Sequence, residues 1–130
     1  KIIKKLEVVK EIDEIPHEKI NELIFFSDGS PGRYIKNLKY WLDISSALRK
    51  KLETKLTNKI EVLKLANQIT EELNIEQQLW LINFKQNIIW EKENNQEMVK
   101  KLEKLRKLLL AYVQPKLAWE ITLLEMNFNN

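Results

Sequence analysis

Both glycines of this 130-residue chain fall in one run, Ser27-Asp28-Gly29-Ser30-Pro31-Gly32-Arg33-Tyr34. Glycine and serine at a helix start can do chemistry, because the first turn of a helix presents backbone N–H groups able to hold a phosphate or another anion. Arg33 would add a cation there. Little else in the chain offers reactive groups. It has no cysteine and a single histidine, His17, which excludes a thiolate nucleophile, a cysteine zinc site and a multi-histidine metal site. His17 follows Pro16 at a predicted helix start and reads as a solvated polar side chain. No G-x-x-x-x-G-K-[ST] phosphate loop occurs. Carboxylates are plentiful, but they sit on charged faces beside lysines, and no pair stands in an apolar pocket as acid–base catalysis requires. The sequence therefore predicts no catalytic residue, metal, cofactor or small-molecule substrate.

The elements that place the glycine run read as helices. Residues 1–12 put Ile2, Leu6, Val9 and Ile12 at helical spacing. Pro16 suits the first turn of a second helix, which carries Ile20, Leu23 and Ile24 on one face and stops near Asp28. Gly29 suits the left-handed residue just past that end. Ser30 is a good N-cap, and Pro31 follows at the first helical position. The third helix shows Tyr34, Ile35, Leu38, Trp41 and Leu42 as an amphipathic stripe. Punctuation between helices explains Gly29, Ser30 and Pro31. It does not explain Gly32, which costs about 1 kcal/mol against alanine inside a helical turn.

After Asp43 the pattern restarts with a serine cap and Leu48, Leu52 and Leu56 at four-residue steps. Asn58-x-x-Glu61, Asn74-x-x-Gln77 and Asn94-x-x-Glu97 then each pair an N-cap with Glu or Gln three positions on, predicting three helix starts. The first of these helices runs from Lys59 to about Leu73 and is expected to bury Val62, Leu63, Ala66, Ile69 and Leu73. The second, from Ile75 to about Glu93, is apolar on most sides through Leu79, Trp80, Leu81, Ile82, Phe84, Ile88, Ile89 and Trp90, the mark of a central helix. The third sets Met98, Leu102, Leu105, Leu109 and Tyr112 in a heptad-like seam, with Glu97–Lys101 and Glu103–Lys107 as i,i+4 pairs. Pro115 must kink or break it. A last segment carries Leu117, Trp119, Ile121 and Leu124, and residues 127–130 are expected to fray. The expected fold is all-α, with a boundary near residues 43–46 dividing units 1–43 and 44–130.

A charged fraction of 32% and a hydrophobic fraction of 44% suit a soluble helical protein. The longest apolar run, residues 108–113, is far short of the ~18 residues a membrane span needs. The net charge of +3 comes from interspersed basic and acidic residues, a solvated surface rather than the basic stripe of a dedicated DNA binder. Because the sequence starts at Lys1 without methionine, an upstream portion is expected. Trp41, Trp80, Trp90 and Trp119 fall mostly on apolar faces and read first as core. Trp80, Trp90, Trp119 and Tyr112 are also the candidates for an association surface, since tryptophan is enriched at interface hot spots.

A helix, Gly-Ser and a second helix together resemble the sensor-2 region in the lid of AAA+ clamp-loader ATPases, whose Gly-Ser-x-Arg-Asp pattern brings an arginine to the nucleotide. Here Gly29 and Ser30 match, Pro31 takes the free position, and Gly32 stands where the arginine would be. Arg33 falls one residue late, about 100° round the helix. Gly29, Ser30, Pro31, Gly32 and Arg33 thus form a degenerate sensor-2-like motif. The Gly-Ser-Pro-Gly version, the tail "LLLAYVQPKLAWEITLL", "EQQLWLINF" and "IIW" are similar to the delta-prime subunits of bacterial, particularly cyanobacterial, DNA polymerase III clamp loaders. That resemblance implies a three-helix AAA+ lid over residues 1–43 and a helical collar domain over 44–130, with an ATPase core upstream. It implies a non-enzymatic part of a DNA polymerase holoenzyme. Its partners would be the gamma/tau and delta subunits of a pentameric ring, with DNA met only through the complex and no membrane, in the cytoplasm. The rival readings are the lid and collar of an ATP-hydrolysing clamp-loader subunit, and a stand-alone helical adaptor or nucleic-acid-binding bundle.

Overall fold

The computed structural model describes residues 15–128. The predicted first helix, with Ile2, Leu6, Val9 and Ile12, lies outside them. Every regular element among the described residues is an α-helix, and the chain divides into two compact units, one ending at Asp43 and the other beginning at Ile44.

In the first unit, α1 (His17–Phe26) packs on α2 (Pro31–Asp43). Pro16 sits one position before the helix rather than in its first turn, at ψ 143°, and its carbonyl accepts from the N–H groups of Lys19 and Ile20. Leu23, Leu38, Trp41 and Ile15 make the buried cluster, whereas Ile24 and Ile35 of the predicted faces point outward. Lys19 is buried too. Its ammonium lies 2.7 Å from the Glu22 carboxylate and 4.8 Å from the centre of the Trp41 ring, so the charge keeps favourable partners out of water.

The second unit holds α3 (Ser46–Glu53), α4 (Lys59–Glu72), α5 (Ile75–Glu93), α6 (Gln96–Leu110) and α7 (Pro115–Phe128). Helix α3 lies on α4, α4 on α7, α7 on α6 and α6 on α5. The core draws on Leu48, Val62, Leu65, Ala66, Ile69, Leu81, Ile82, Phe84, Leu102, Leu105, Leu109 and Trp119. Each large apolar side chain removed from water there contributes about 1.5–3 kcal/mol. On α4, Leu65 takes the buried place expected of Leu63, which is exposed. Helix α5 buries residues all round its first half, Gln78, Trp80, Leu81, Ile82 and Phe84, but its end is less covered and Trp90 is half exposed.

Caps explain where these helices begin. Ser45 Oγ accepts from the Leu48 N–H, and Asn74 with Gln77 forms a reciprocal capping box, both bonds at 2.8 Å. Asn58 accepts from the Glu61 N–H, but the Glu61 carboxylate reaches one residue further back, to the N–H and hydroxyl of Thr57. The third box is corrected. Asn94 ends α5 in the left-handed conformation, φ 49° and ψ 37°, and Asn95 caps α6 by accepting from the Met98 N–H. Two further helix ends differ from expectation. Helix α3 stops at Glu53, leaving Leu56 beyond it, while α7 keeps Asn127 and Phe128 helical instead of frayed.

Pro115 makes a clean break, as the first residue of α7. Ahead of it, the Val113 N–H reaches back to the Leu108 carbonyl and Tyr112 adopts φ 61°. Tyr112 therefore leaves the α6 seam and is 96% exposed, although Leu102, Leu105 and Leu109 of that seam are buried as expected. Glu103 pairs with Arg106 at i,i+3, not with Lys107, through two hydrogen bonds. Lys101 donates to the Glu125 carbonyl of α7.

Candidate functional site

The glycine run is built as a tight helix-to-helix junction. Ser27 is buried, its hydroxyl donating to the Leu23 carbonyl at 2.6 Å and accepting from the Asn37 amide at 3.0 Å, which ties α1's last turn to α2. Asp28 and Gly29 follow at φ 52° and 73°. The glycine satisfies a left-handed position that any side chain would strain, and Asp28 is among the side chains that tolerate one. Ser30 Oγ then accepts from the Arg33 N–H at 3.3 Å, and the Ser30 carbonyl accepts from the Tyr34 N–H. Pro31 has no N–H to give. The helix mouth is thus largely closed by its own cap rather than left open for an anion.

Gly32 is a helical residue with ordinary backbone, and a Cβ there would meet nothing nearer than Ser30 Oγ at 4.0 Å. Neither conformation nor crowding demands glycine. Arg33, one residue on, is exposed.

The aromatic candidates separate into two kinds. Trp119 is 1% exposed and donates its indole N–H to Gln78 Oε1, while Trp80 stacks on Phe84 with ring centres 5.1 Å apart. Both are taken up by the unit's own core. Trp90 and Tyr112 remain at the surface. Sequence periodicity missed another outward group. Leu117 and Ile121, which the sequence grouped with Trp119 as the apolar residues of the last segment, are 47% and 42% exposed, and the buried face of α7 is Ala118, Trp119 and Thr122. The signal was available, since Leu117 and Trp119 stand about 200° apart on a helix and cannot share a face.

Among the described residues, electrostatics single out no reactive group. Donation by the Thr57 N–H, then by its hydroxyl, holds the Glu61 carboxyl below its ordinary value. Hydrogen bonds from Arg106 and, more weakly, Gln86 do the same for Glu103. Both carboxylates lie at the surface and serve helix structure. Among the described residues no cluster of His, Cys, Asp or Glu could hold a metal, and no helix is long and apolar enough to cross a membrane.

Comparison with known proteins adds one finding. No curated protein and no solved structure matches the chain. A family model described as "Cyanobacterial DNA polymerase III delta prime, C-terminal domain" matches residues 3–126, nearly the whole sequence. With an all-helical architecture and no constellation of reactive groups among the described residues, that match identifies the chain as a member of the cyanobacterial DNA polymerase III delta-prime C-terminal domain family.

Proposed function

We propose that this chain is a non-catalytic, assembling part of a bacterial clamp loader: residues 1–43 serve as an AAA+ lid and residues 44–130 as a collar. Held against the gamma/tau and delta subunits in the cytoplasm, it keeps neighbouring ATPases in register while they open and load the sliding clamp at primed DNA. The family match over residues 3–126 carries this reading. Two structural features support it. Gly32 stands where the resembling ATPases place an arginine, on a helix mouth already capped by Ser30. The second unit also leaves Trp90, Leu110, Tyr112, Leu117 and Ile121 exposed, apolar surface that association would cover.

The test is reconstitution of the full-length subunit with its clamp-loader partners, followed by calorimetric titration of the subunit with ATP. Co-elution as one complex without measurable ATP binding is expected. Micromolar ATP affinity would favour an ATP-hydrolysing subunit. DNA binding by the subunit alone that persists at physiological salt would favour a nucleic-acid-binding bundle.

A further inference from the structure

We infer that the outward face of α7 is a helix-docking seam, occupied by an amphipathic helix of another clamp-loader subunit with Lys or Arg on both flanks of its apolar face. The inference rests on the assembly reading and adds to it the surface and the kind of helix received. Leu117, Ile121, Leu124 and Phe128 recur at steps of four, three and four residues. Leu117, Ile121 and Phe128 are 47%, 42% and 36% exposed, and Leu124 is partly so. Those three steps average about 3.7 residues, close to one helical turn, so the four side chains line a single face along which a second helix can lie. An extended peptide, with side chains alternating every second residue, would match no more than part of it.

The unit's own helices cover this face only in part. Helix α7 turns Ala118, Trp119 and Thr122 toward α4 and α6, and at about 100° per residue the seam's centre lies about 140° round from that buried side. Charge selects the occupant. Glu120 and Glu125 stand about 70° to either side of the seam, whereas Lys116, the one cation of α7, lies about 110° away. From α6, Lys101 donates to the backbone carbonyl of Glu125 rather than its carboxylate. Each edge of the seam thus carries one acid next to the apolar stripe, with the nearest cations set behind it: Lys116 one turn before Glu120, and Lys101 against the Glu125 backbone. A second copy would bring the same acid-flanked seam against it, while a helix with cationic flanks would pair on both edges.

The test uses the full-length subunit and its clamp-loader partners, with affinity measured for wild type, Ile121→Asp, the pair Glu120→Lys/Glu125→Lys, and Ile60→Asp on the outer face of α4. Ile121→Asp should weaken assembly by about 30-fold or more with circular dichroism unchanged, as loss of a central apolar anchor does. The charge reversal should weaken it at about 50 mM salt, with the difference shrinking near 500 mM. Ile60→Asp should assemble like wild type. If wild type assembles and both seam variants match it, the seam is wrong and the assembly reading stands. If the subunit alone self-associates and Ile121→Asp abolishes this, the assigned occupant is wrong. Failure of the wild type to assemble overturns the assembly reading itself.

Discussion

Replacing Gln78 with leucine probes the polar clamp inside the second unit. Gln78 is 2% exposed, with its Oε1 2.9 Å from the Trp119 indole nitrogen and its Nε2 donating to the Leu73 carbonyl at 2.9 Å. Leucine is of similar size but makes neither bond. It leaves the Trp119 N–H and the Leu73 carbonyl in the core, each orphan costing about 1–3 kcal/mol. The added apolar burial returns about 1–2 kcal/mol, so a net loss of about 2–3 kcal/mol is expected. Trp119→Phe should cost a similar amount, through the void it leaves and the unpaired Gln78 oxygen. The double variant removes both partners of that bond and should lose about 1–2 kcal/mol less than the two singles together. Urea unfolding followed by far-ultraviolet circular dichroism measures all three, and in thermal melts each kcal/mol corresponds to roughly 4–8 °C for a unit of this size. Additivity within about 0.5 kcal/mol, or a Gln78→Leu loss below that figure, would refute the clamp.

Gly32→Ala should stabilise the protein by about 0.5–1 kcal/mol, because the site is helical and open. Gly29→Ala should destabilise it by about 1 kcal/mol, because φ is +73° there, and paired thermal melts decide both. Asn95→Ala should cost about 1 kcal/mol as a lost N-cap, whereas Asn94→Gly should be neutral or stabilising at its left-handed position; the reverse order in denaturant midpoints would move the cap back to Asn94. Glu61 and Glu103 have carboxyls depressed on folding, so their contribution is fully present above the unfolded value near pH 4.5 and is lost as pH falls through the folded values. Carbon-13 NMR titration should show the Glu61 midpoint move part of the way up in Thr57→Val, since the Thr57 N–H bond survives.

Local chemistry determined most of the helix pattern. Ser30 and Pro31 start α2, Gly29 ends the preceding turn, and the Asn74–Gln77 box opens α5, because each device needs only neighbouring backbone groups. The break at Pro115 was legible for the same reason. Where two adjacent residues could serve equally, as with Asn94 and Asn95, the choice followed from where α5 closed its last turn. Periodicity showed that α4 and α7 have apolar faces, but not which would turn inward. Leu65 was preferred to Leu63, and Trp119 to Leu117, once neighbouring helices offered surfaces to fill. The out-of-place glycine at position 32 could be read directly from residue types, while the outward apolar face inferred on α7 appeared only after the core had taken the other side. A glutamine looks polar in any sequence. Gln78 became a core residue because Trp119, 41 positions away, arrives with an N–H to donate, and only the packed helices bring those two atoms within hydrogen-bonding distance.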